Sequence, residues 1–389
     1  MNDTLLKLKN SATVALSDKI RKYKTEGRTI IALQTGDPDF NTPKIIIETC
    51  TDALAGGLTH YSFSQGLPEL RSAVASYNDK KFGTKISSEE NILITSGGVH
   101  ALYIIANVLF APGDEVIVID PSWMPYKSVI TIAGAVPVVI DTKAENNFIA
   151  EINEIRKYIS KKTKAIIINS PNNPTGSVVN EKYYIELLEL AREYDLYIIS
   201  DEVYNEIIFD GRKPLSLAAF EDKPSRVIVI NSFSKTFAMT GWRIGYIIAG
   251  SKIIEQCLKL VQYTITNVPP FIQKAATIAL QNNEVDKEVI NMVKIYEKRK
   301  NIVRQLCMEH LGARIRMVDP GGAFYIFWDI RKMNITSEQF CDELLDKYQV
   351  AVVPGNVYGN CGEGFVRMTI AASEIDIVEG TKRMLEFSK

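Results

Sequence analysis

Histidine and cysteine are both sparse in this chain of 389 residues, and neither is arranged for metal or disulfide chemistry. The three histidines show no clustered ligand spacing. The five cysteines (Cys50, Cys257, Cys307, Cys341 and Cys361) are odd in number, scattered and without a C-x-x-C pair, so free thiols in a reducing cytoplasm are expected. Charge of one sign is lacking too. Forty-five Lys and Arg against 46 Asp and Glu leave a net charge of −1 and no basic footprint for nucleic acid. No uninterrupted apolar run reaches the ~18 residues of a membrane span. Met1 to Lys9 is polar and amphipathic rather than the apolar core of a signal peptide. No G-x-G-x-x-G follows the first strand, which argues against a dinucleotide-binding protein.

What is present is a regular alternation. The length alone predicts roughly two or three domains. Short runs rich in Ile and Val, at 91–95, 115–119, 136–140, 165–169 and 197–200, are bounded by Gly, Pro, Asn and Asp, as buried sheet strands are. Amphipathic helices fit between them; the clearest is Lys182 to Tyr194, with Ile185, Leu188 and Ala191 on one stripe. Such alternation predicts a mostly parallel α/β sheet. Before it, a helix is expected over 12–26, a short strand over 30–33, and helices from Lys44 to Leu54 and from Pro68 to Phe82. After it come a helix over 252–281 interrupted near Pro269-Pro270, a long charged helix over 285–311, and strands at 323–328, 350–353 and 364–370 among further helices. That C-terminal part reads as a smaller α+β region, with the first forty or so residues packing against it.

In parallel sheets, ligands sit beyond the carboxyl ends of the strands. The residues just past each strand end are chemically pointed here. Ser96-Gly97-Gly98 opens a helix whose amides can face an anion. Trp123 follows 115–119 and offers a flat face for stacking. Ser170 to Gly176 follows 165–169, and Asp201-Glu202-Val203-Tyr204 follows 197–200. After Val227 to Ile230 stands Lys235, among Ser232, Ser234 and Thr236, with Arg243 eight residues on. A lysine between two buried runs is either a snorkelling surface residue or a desolvated amine able to form a Schiff base. A phosphorylated pyridine aldehyde would need such an amine, and an acid at its ring nitrogen, for which Asp201 is best placed. It would need a donor to its ring oxygen, from Tyr204 or Asn173. It would also need a phosphate cradle, for which Gly97, Gly98, Ser232, Ser234 and Arg243 are candidates, and a stacking partner, Trp123. Every requirement has a candidate at the correct end of a strand.

Six stretches carry a resemblance to a known family. They are T-G-D-P-D-F (35–40), H-Y-S-F-S-Q-G-L-P-E-L-R (60–71), S-P-N-N-P-T-G (170–176), S-D-E-V-Y (200–204), S-F-S-K-T-F-A-M-T-G-W-R-I-G-Y (232–246) and V-R-M-T (366–369). With them the chain resembles the class I/II aminotransferases, pyridoxal-phosphate enzymes of the aspartate aminotransferase superfamily and of fold type I. The resemblance runs from residue 12 to the C-terminus. It implies pyridoxal 5′-phosphate as cofactor, with Lys235 as Schiff-base lysine and proton shuttle and Asp201 on the pyridinium nitrogen. It places Tyr204 and Asn173 at the phenolic oxygen, and Trp123 on the ring. Gly97, Gly98, Ser232, Ser234 and Arg243 would hold the phosphate. Arg367 would grip the substrate α-carboxylate with help from Asn173, Gly36 and Trp123. Tyr61 would reach the phosphate of a neighbouring subunit's cofactor, which implies a homodimer with active sites at the subunit interface.

The implied reaction is a ping-pong transamination from an L-amino acid to a 2-oxo acid such as 2-oxoglutarate. Relatives that use aspartate often carry a lysine just after the Gly-Gly pair, where this chain has Val99. That departure, with Tyr126, Phe324 and Tyr358 as pocket candidates, favours a neutral or aromatic donor over aspartate. His100 is expected to pack within its helix. A carbon–sulfur β-lyase and a cofactor-binding effector sensor without turnover are the other readings the scaffold allows. The expected organisation is an N-terminal segment 1–45, a large cofactor domain 46–282 with a seven-stranded sheet, and a small α+β domain 283–389.

Overall fold

The computed structural model describes residues 12–221, 225–310 and 312–389. The polar stretch Met1 to Lys9 therefore lies outside the described residues.

The Ile/Val-rich runs form one sheet because each is apolar on both faces and helices cover both. Its strands are β2 (Ile92–Thr95), β3 (Glu115–Asp120), β4 (Val136–Asp141), β5 (Thr163–Asn169), β6 (Tyr197–Asp201), β7 (Val227–Ser232) and β8 (Gly245–Ile248). They follow the order β2-β8-β7-β6-β5-β3-β4. All neighbours pair in parallel except β8, which runs antiparallel to both β2 and β7. Seven strands, mostly parallel, is the architecture the alternation predicts. Every residue of β2, β7 and β8 is buried. Burying a Val or Ile side chain contributes about 1.5–3 kcal/mol, so these three strands, at one end of the sheet, contribute strongly to its stability.

Register decides what meets at the carboxyl edge. Asn169 pairs with Asp201, and Asp201 with Ile230. The ends of β3, β5, β6 and β7 therefore present Asp120, Asn169, Asp201 and Ser232 along one rim. The helix Gly97–Leu109 starts from the same rim directly after β2.

The C-terminal third forms a second, antiparallel sheet, β12-β13-β10-β9, from β9 (Arg316–Val318), β10 (Tyr325–Asp329), β12 (Val353–Pro354) and β13 (Phe365–Thr369). The strand β1 (Ile31–Ala32) pairs in parallel with β11 (Val350–Ala351). Leu33 continues the stitching: its N–H donates to the Ala351 carbonyl at 2.9 Å, and its own carbonyl accepts from Thr369 at 2.8 Å. Ile31 and Leu33 share a core with Trp328, Phe340 and Met368.

The helix expected over 252–281 is two helices, Ser251–Thr264 and Pro270–Gln281. A proline at a first helical turn starts a helix rather than continuing one. The long helix spans Asn283–Glu309, capped by the Asn282 side chain. Among the described residues no helix is long and apolar enough to cross a membrane, and no cluster of metal-ligating side chains occurs.

Candidate active site

Where the rim of the large sheet faces β10 and β13, a cavity of about 710 Å³ opens. Gly36, Gly98, Trp123, Asn173, Asp201, Tyr204, Ser232, Ser234, Lys235, Arg243 and Arg367 all line it. These residues are scattered over more than three hundred positions of sequence, and the fold brings them to one wall.

Lys235 sits on a single helical turn, Phe233–Thr236, between β7 and β8. Its Nζ donates to the Gly36 carbonyl at 2.6 Å. Burial pushes its ammonium down to about 8; Asp37 opposes the shift, and Arg367 and Arg243 assist it. An amine with that value is roughly a tenth to a fifth neutral near pH 7, far more than an ordinary lysine, and so offers the free amine that a nucleophile and proton carrier needs.

Asp201 ends β6, and burial pushes its carboxyl up to about 6. The Tyr126 hydroxyl donates to its Oδ2 at 2.6 Å, and the Val203 N–H to its Oδ1 at 3.3 Å. Both bonds hold the carboxyl lower than burial alone would. Tyr126, read from sequence as a substrate-pocket residue, is thus fully engaged with Asp201. Its ring also meets Trp123 edge-on, with centroids 5.6 Å apart.

Arg367, on β13, donates from Nη1 to Asn173 Oδ1 at 3.0 Å and from Nη2 to the Gln34 carbonyl at 2.7 Å. The rings of Tyr325 and Tyr358 flank its guanidinium at 4.3 and 5.3 Å. Its Nε has no hydrogen-bond partner, nor have Gln34 Oε1 and the Tyr358 hydroxyl. Three buried polar atoms on one wall without partners mark a place shaped for a polar ligand.

Tyr204 shares a hydrogen bond with Tyr325 at 2.9 Å between hydroxyls. Asn169 braces the rim: its Nδ2 donates to the Asp201 carbonyl and its Oδ1 accepts from the Asn173 N–H, both at 2.9 Å. Neither Tyr325 nor Asn169 was singled out from sequence. Their signal lay in the lone hydroxyl of the apolar run 323–328 and at the last position of 165–169, where a polar residue closes an apolar strand.

Arg243 takes a left-handed conformation, φ 55°, and its Nη1 donates to the Thr240 carbonyl at 2.7 Å. Gly97 stands behind it, at φ +81°. A Cβ there would lie 2.6 Å from Arg243 Nη2, so only glycine leaves room for the guanidinium. Thr240 Oγ1 also donates to Asp37 Oδ1 at 2.7 Å, tying the loop of Gly36 to the rim.

Three further residues named from the sequence do not line the cavity. Tyr61 is 89 % exposed and does not line the cavity of its own chain. Phe324 is fully buried in the core, 5.9 Å from Lys235 Nζ to its ring centroid, so it backs the lysine rather than shaping a substrate pocket. His100 closes on its own helix start, Nδ1 accepting from the Ser96 N–H at 3.1 Å.

The comparisons with known proteins agree with this geometry. The family described as aminotransferase class I and II matches residues 28–379. An aspartate aminotransferase of Pyrococcus horikoshii is 39% identical over 98% of this chain and 95% of its own length. An aromatic-amino-acid aminotransferase of Thermococcus litoralis is 39% identical over 91% of this chain and 90% of its own. Among solved structures, an aspartate aminotransferase from Thermus thermophilus with maleate superposes at a TM-score of 0.93, with 33% identity and 99% of each chain covered. The chain belongs to the class I and II aminotransferases.

The cofactor of this class is pyridoxal 5′-phosphate, and the residues present fit it. A desolvated amine, a buried carboxylate, a flat indole and a glycine-backed arginine beside two serines face one cavity.

Proposed function

We propose that this enzyme moves the α-amino group of a neutral or aromatic L-amino acid to a 2-oxo acid such as 2-oxoglutarate, by a ping-pong mechanism, as a cytoplasmic homodimer. The observation that carries the reading is the opposition, across one cavity, of a desolvated Lys235 and an Arg367 with an unpartnered Nε.

When bound, pyridoxal phosphate supplies a carbonyl for amine exchange and an electron sink for the charge left at the substrate Cα. The chain's own residues do the rest. Arg367 takes the substrate carboxylate as a planar fork, exchanging its present contacts with Asn173 and Gln34 for charge-assisted ones. Tyr325 and Tyr358 keep that fork in plane. Lys235 Nζ, held by the Gly36 carbonyl, is the base that takes the Cα proton and returns it. Asp201, kept ionised by Tyr126, would keep a proton on the cofactor's ring nitrogen. Asn173 and Tyr204 would serve its ring oxygen, and Trp123 would stack on its ring. Arg243, Ser232, Ser234 and the start of the helix Gly97–Leu109 would hold its phosphate.

Val99, 44 % exposed on the cavity wall, brings no charge to a donor side chain, which supports a neutral or aromatic donor. The exposed Tyr61 suits a residue that completes the site of a second copy. The working domain division is 1–45, 46–282 and 283–389, supported by the pairing of β1 with β11.

The test is a half-reaction screen of the purified, cofactor-loaded protein against all amino acids, followed in the visible absorbance. Conversion with release of the 2-oxo acid supports transamination; ammonia and pyruvate would point to elimination. Lys235→Ala turning over at the wild-type rate would sink the mechanism.

A further inference from the structure

The cavity holds more charge than the proposed reaction has used. Among the described residues, its cationic lining side chains are Lys235, Arg243, Arg367 and Arg21. The first three face the carbonyl, the phosphate and the α-carboxylate. Arg21 is left over, and with it Asp18. Both stand on the helix Ala12–Thr25, which no motif of the sequence had connected with the site.

The helix is fixed by its other face. Ile20 is buried in a small core with Ile30, Leu345 and Ala351. Lys19 Nζ meets Asp342 Oδ1 at 2.7 Å, and the Tyr23 hydroxyl meets Asp346 Oδ1 at 3.0 Å. At 3.6 residues per turn, the midpoint of Asp18 and Arg21 lies about 160° around the helix from that of Ile20 and Tyr23. Anchoring the one face therefore turns the other toward the cavity mouth. There Arg21 Nη1 meets Asp18 Oδ1 at 2.9 Å, with side chains 76% and 62% exposed. An exposed i,i+3 pair of this kind is weak and readily exchanged.

A 2-oxo acid acceptor with a second carboxylate poses a problem that a neutral donor does not. Its distal charge must be met, and Val99 cannot meet it. We propose that Arg21 is the specificity residue for dicarboxylate substrates, leaving Asp18 to bind the distal carboxylate at the cavity mouth. When a neutral or aromatic side chain enters, Arg21 stays paired with Asp18 and the mouth carries no net charge. One site thus accepts two classes of side chain in the two halves of the cycle. This rests on the transaminase reading above.

The experiment uses the cofactor-loaded enzyme as wild type, Arg21→Ala, Arg21→Lys and Asp18→Asn. Half-reactions are run with glutamate, aspartate, phenylalanine and leucine, and binding of the unreactive dicarboxylate maleate is titrated calorimetrically beside the monocarboxylate crotonate. Arg21→Ala should raise the KM for glutamate and the Kd for maleate about tenfold or more, equivalent to ~1.4 kcal/mol. Phenylalanine, leucine and crotonate should stay within about twofold. Arg21→Lys should recover part of the loss, and Asp18→Asn should tighten maleate. Added salt should weaken maleate in the wild type more than in Arg21→Ala. The proposal is overturned if Arg21→Ala leaves the glutamate-to-phenylalanine ratio and maleate binding unchanged, which would place the distal cation elsewhere, or if it weakens both substrate classes alike. A wild type that turns over no amino acid at all defeats the transaminase reading instead, and maleate binding still reports on Arg21.

Discussion

Replacing Tyr126 by Phe removes one oxygen atom and isolates one interaction. The Tyr126 hydroxyl donates to Asp201 at 2.6 Å, both groups are buried, and the phenyl ring that meets Trp123 stays in place. A hydrogen bond to a charged group is worth about 1.5–3 kcal/mol. At ~1.4 kcal/mol per pKa unit, its loss should raise the Asp201 carboxyl from about 6 by roughly one to two units. The sign follows from burial. A carboxyl raised above its unfolded value of 3.8 loses its charge early as pH falls. The assay is the affinity of the protein for pyridoxal phosphate as a function of pH. Wild-type affinity should weaken below about pH 6, whereas Tyr126→Phe should begin to weaken between roughly pH 7 and 8. The penalty for holding Asp201 ionised is present above its folded pKa and gone below about pH 4. The cofactor-free variant should therefore melt below the wild type at pH 8.5, with the gap narrowing at pH 5. If both proteins lose affinity at the same pH, Tyr126 does not set the charge of Asp201 and the reasoning fails.

Other outcomes rest on the same geometry. Gly97→Ala places a Cβ 2.6 Å from Arg243 Nη2 at a φ of +81°, so cofactor affinity should fall about tenfold or more, with ~1–2 kcal/mol lost from stability in urea titration. The rate at which cofactor-free protein captures pyridoxal phosphate should rise with pH to a plateau, with a midpoint near the Lys235 value of about 8; a midpoint above pH 10 would contradict the desolvation argument. Asp39 pairs both carboxylate oxygens with Arg299, at 2.8 and 2.7 Å, in the loop that carries Gly36. Asp39→Asn leaves Arg299 half-satisfied between two aromatic rings, and should cost about 3 kcal/mol of stability while raising substrate KM more than it lowers kcat. Tyr61→Phe should weaken cofactor binding without changing the mass measured by light scattering, if its hydroxyl serves a neighbouring site in a dimer.

Much of the site was legible because its chemistry is carried at strand ends. Asp201 ends the run 197–201, and Ser232 ends β7, so the apolar pattern that locates each strand also locates the polar residue that closes it. Lys235 was legible as an oddity, a cation between two apolar runs. Arg367 was legible only through its motif, because inside β13 its side chain alternates with buried Val366 and Met368 like any strand residue. Tyr126 and Phe324 show where the reading stopped. Sequence identifies an aromatic near a cleft; it does not say whether the ring faces substrate, braces an acid or backs a lysine. Those choices depend on backbone direction at the residue, which periodicity does not fix.

The sequence by itself determined the class of fold and, through its motif stretches, the family and that family's cofactor, because strand–helix alternation and strand-end polarity are local properties that tertiary packing preserves. Tertiary structure alone decided which partners those residues have. Gly36 accepts from Lys235 across 199 positions, Gln34 from Arg367 across 333, and Asp18 and Arg21 reach the same cavity from a helix with no motif. Contacts of that separation arise only when β1 pairs with β11 and folds the N-terminal segment over the rim. The physical reason is that segments distant in sequence converge at the cavity, and no periodic pattern marks the residues that meet there.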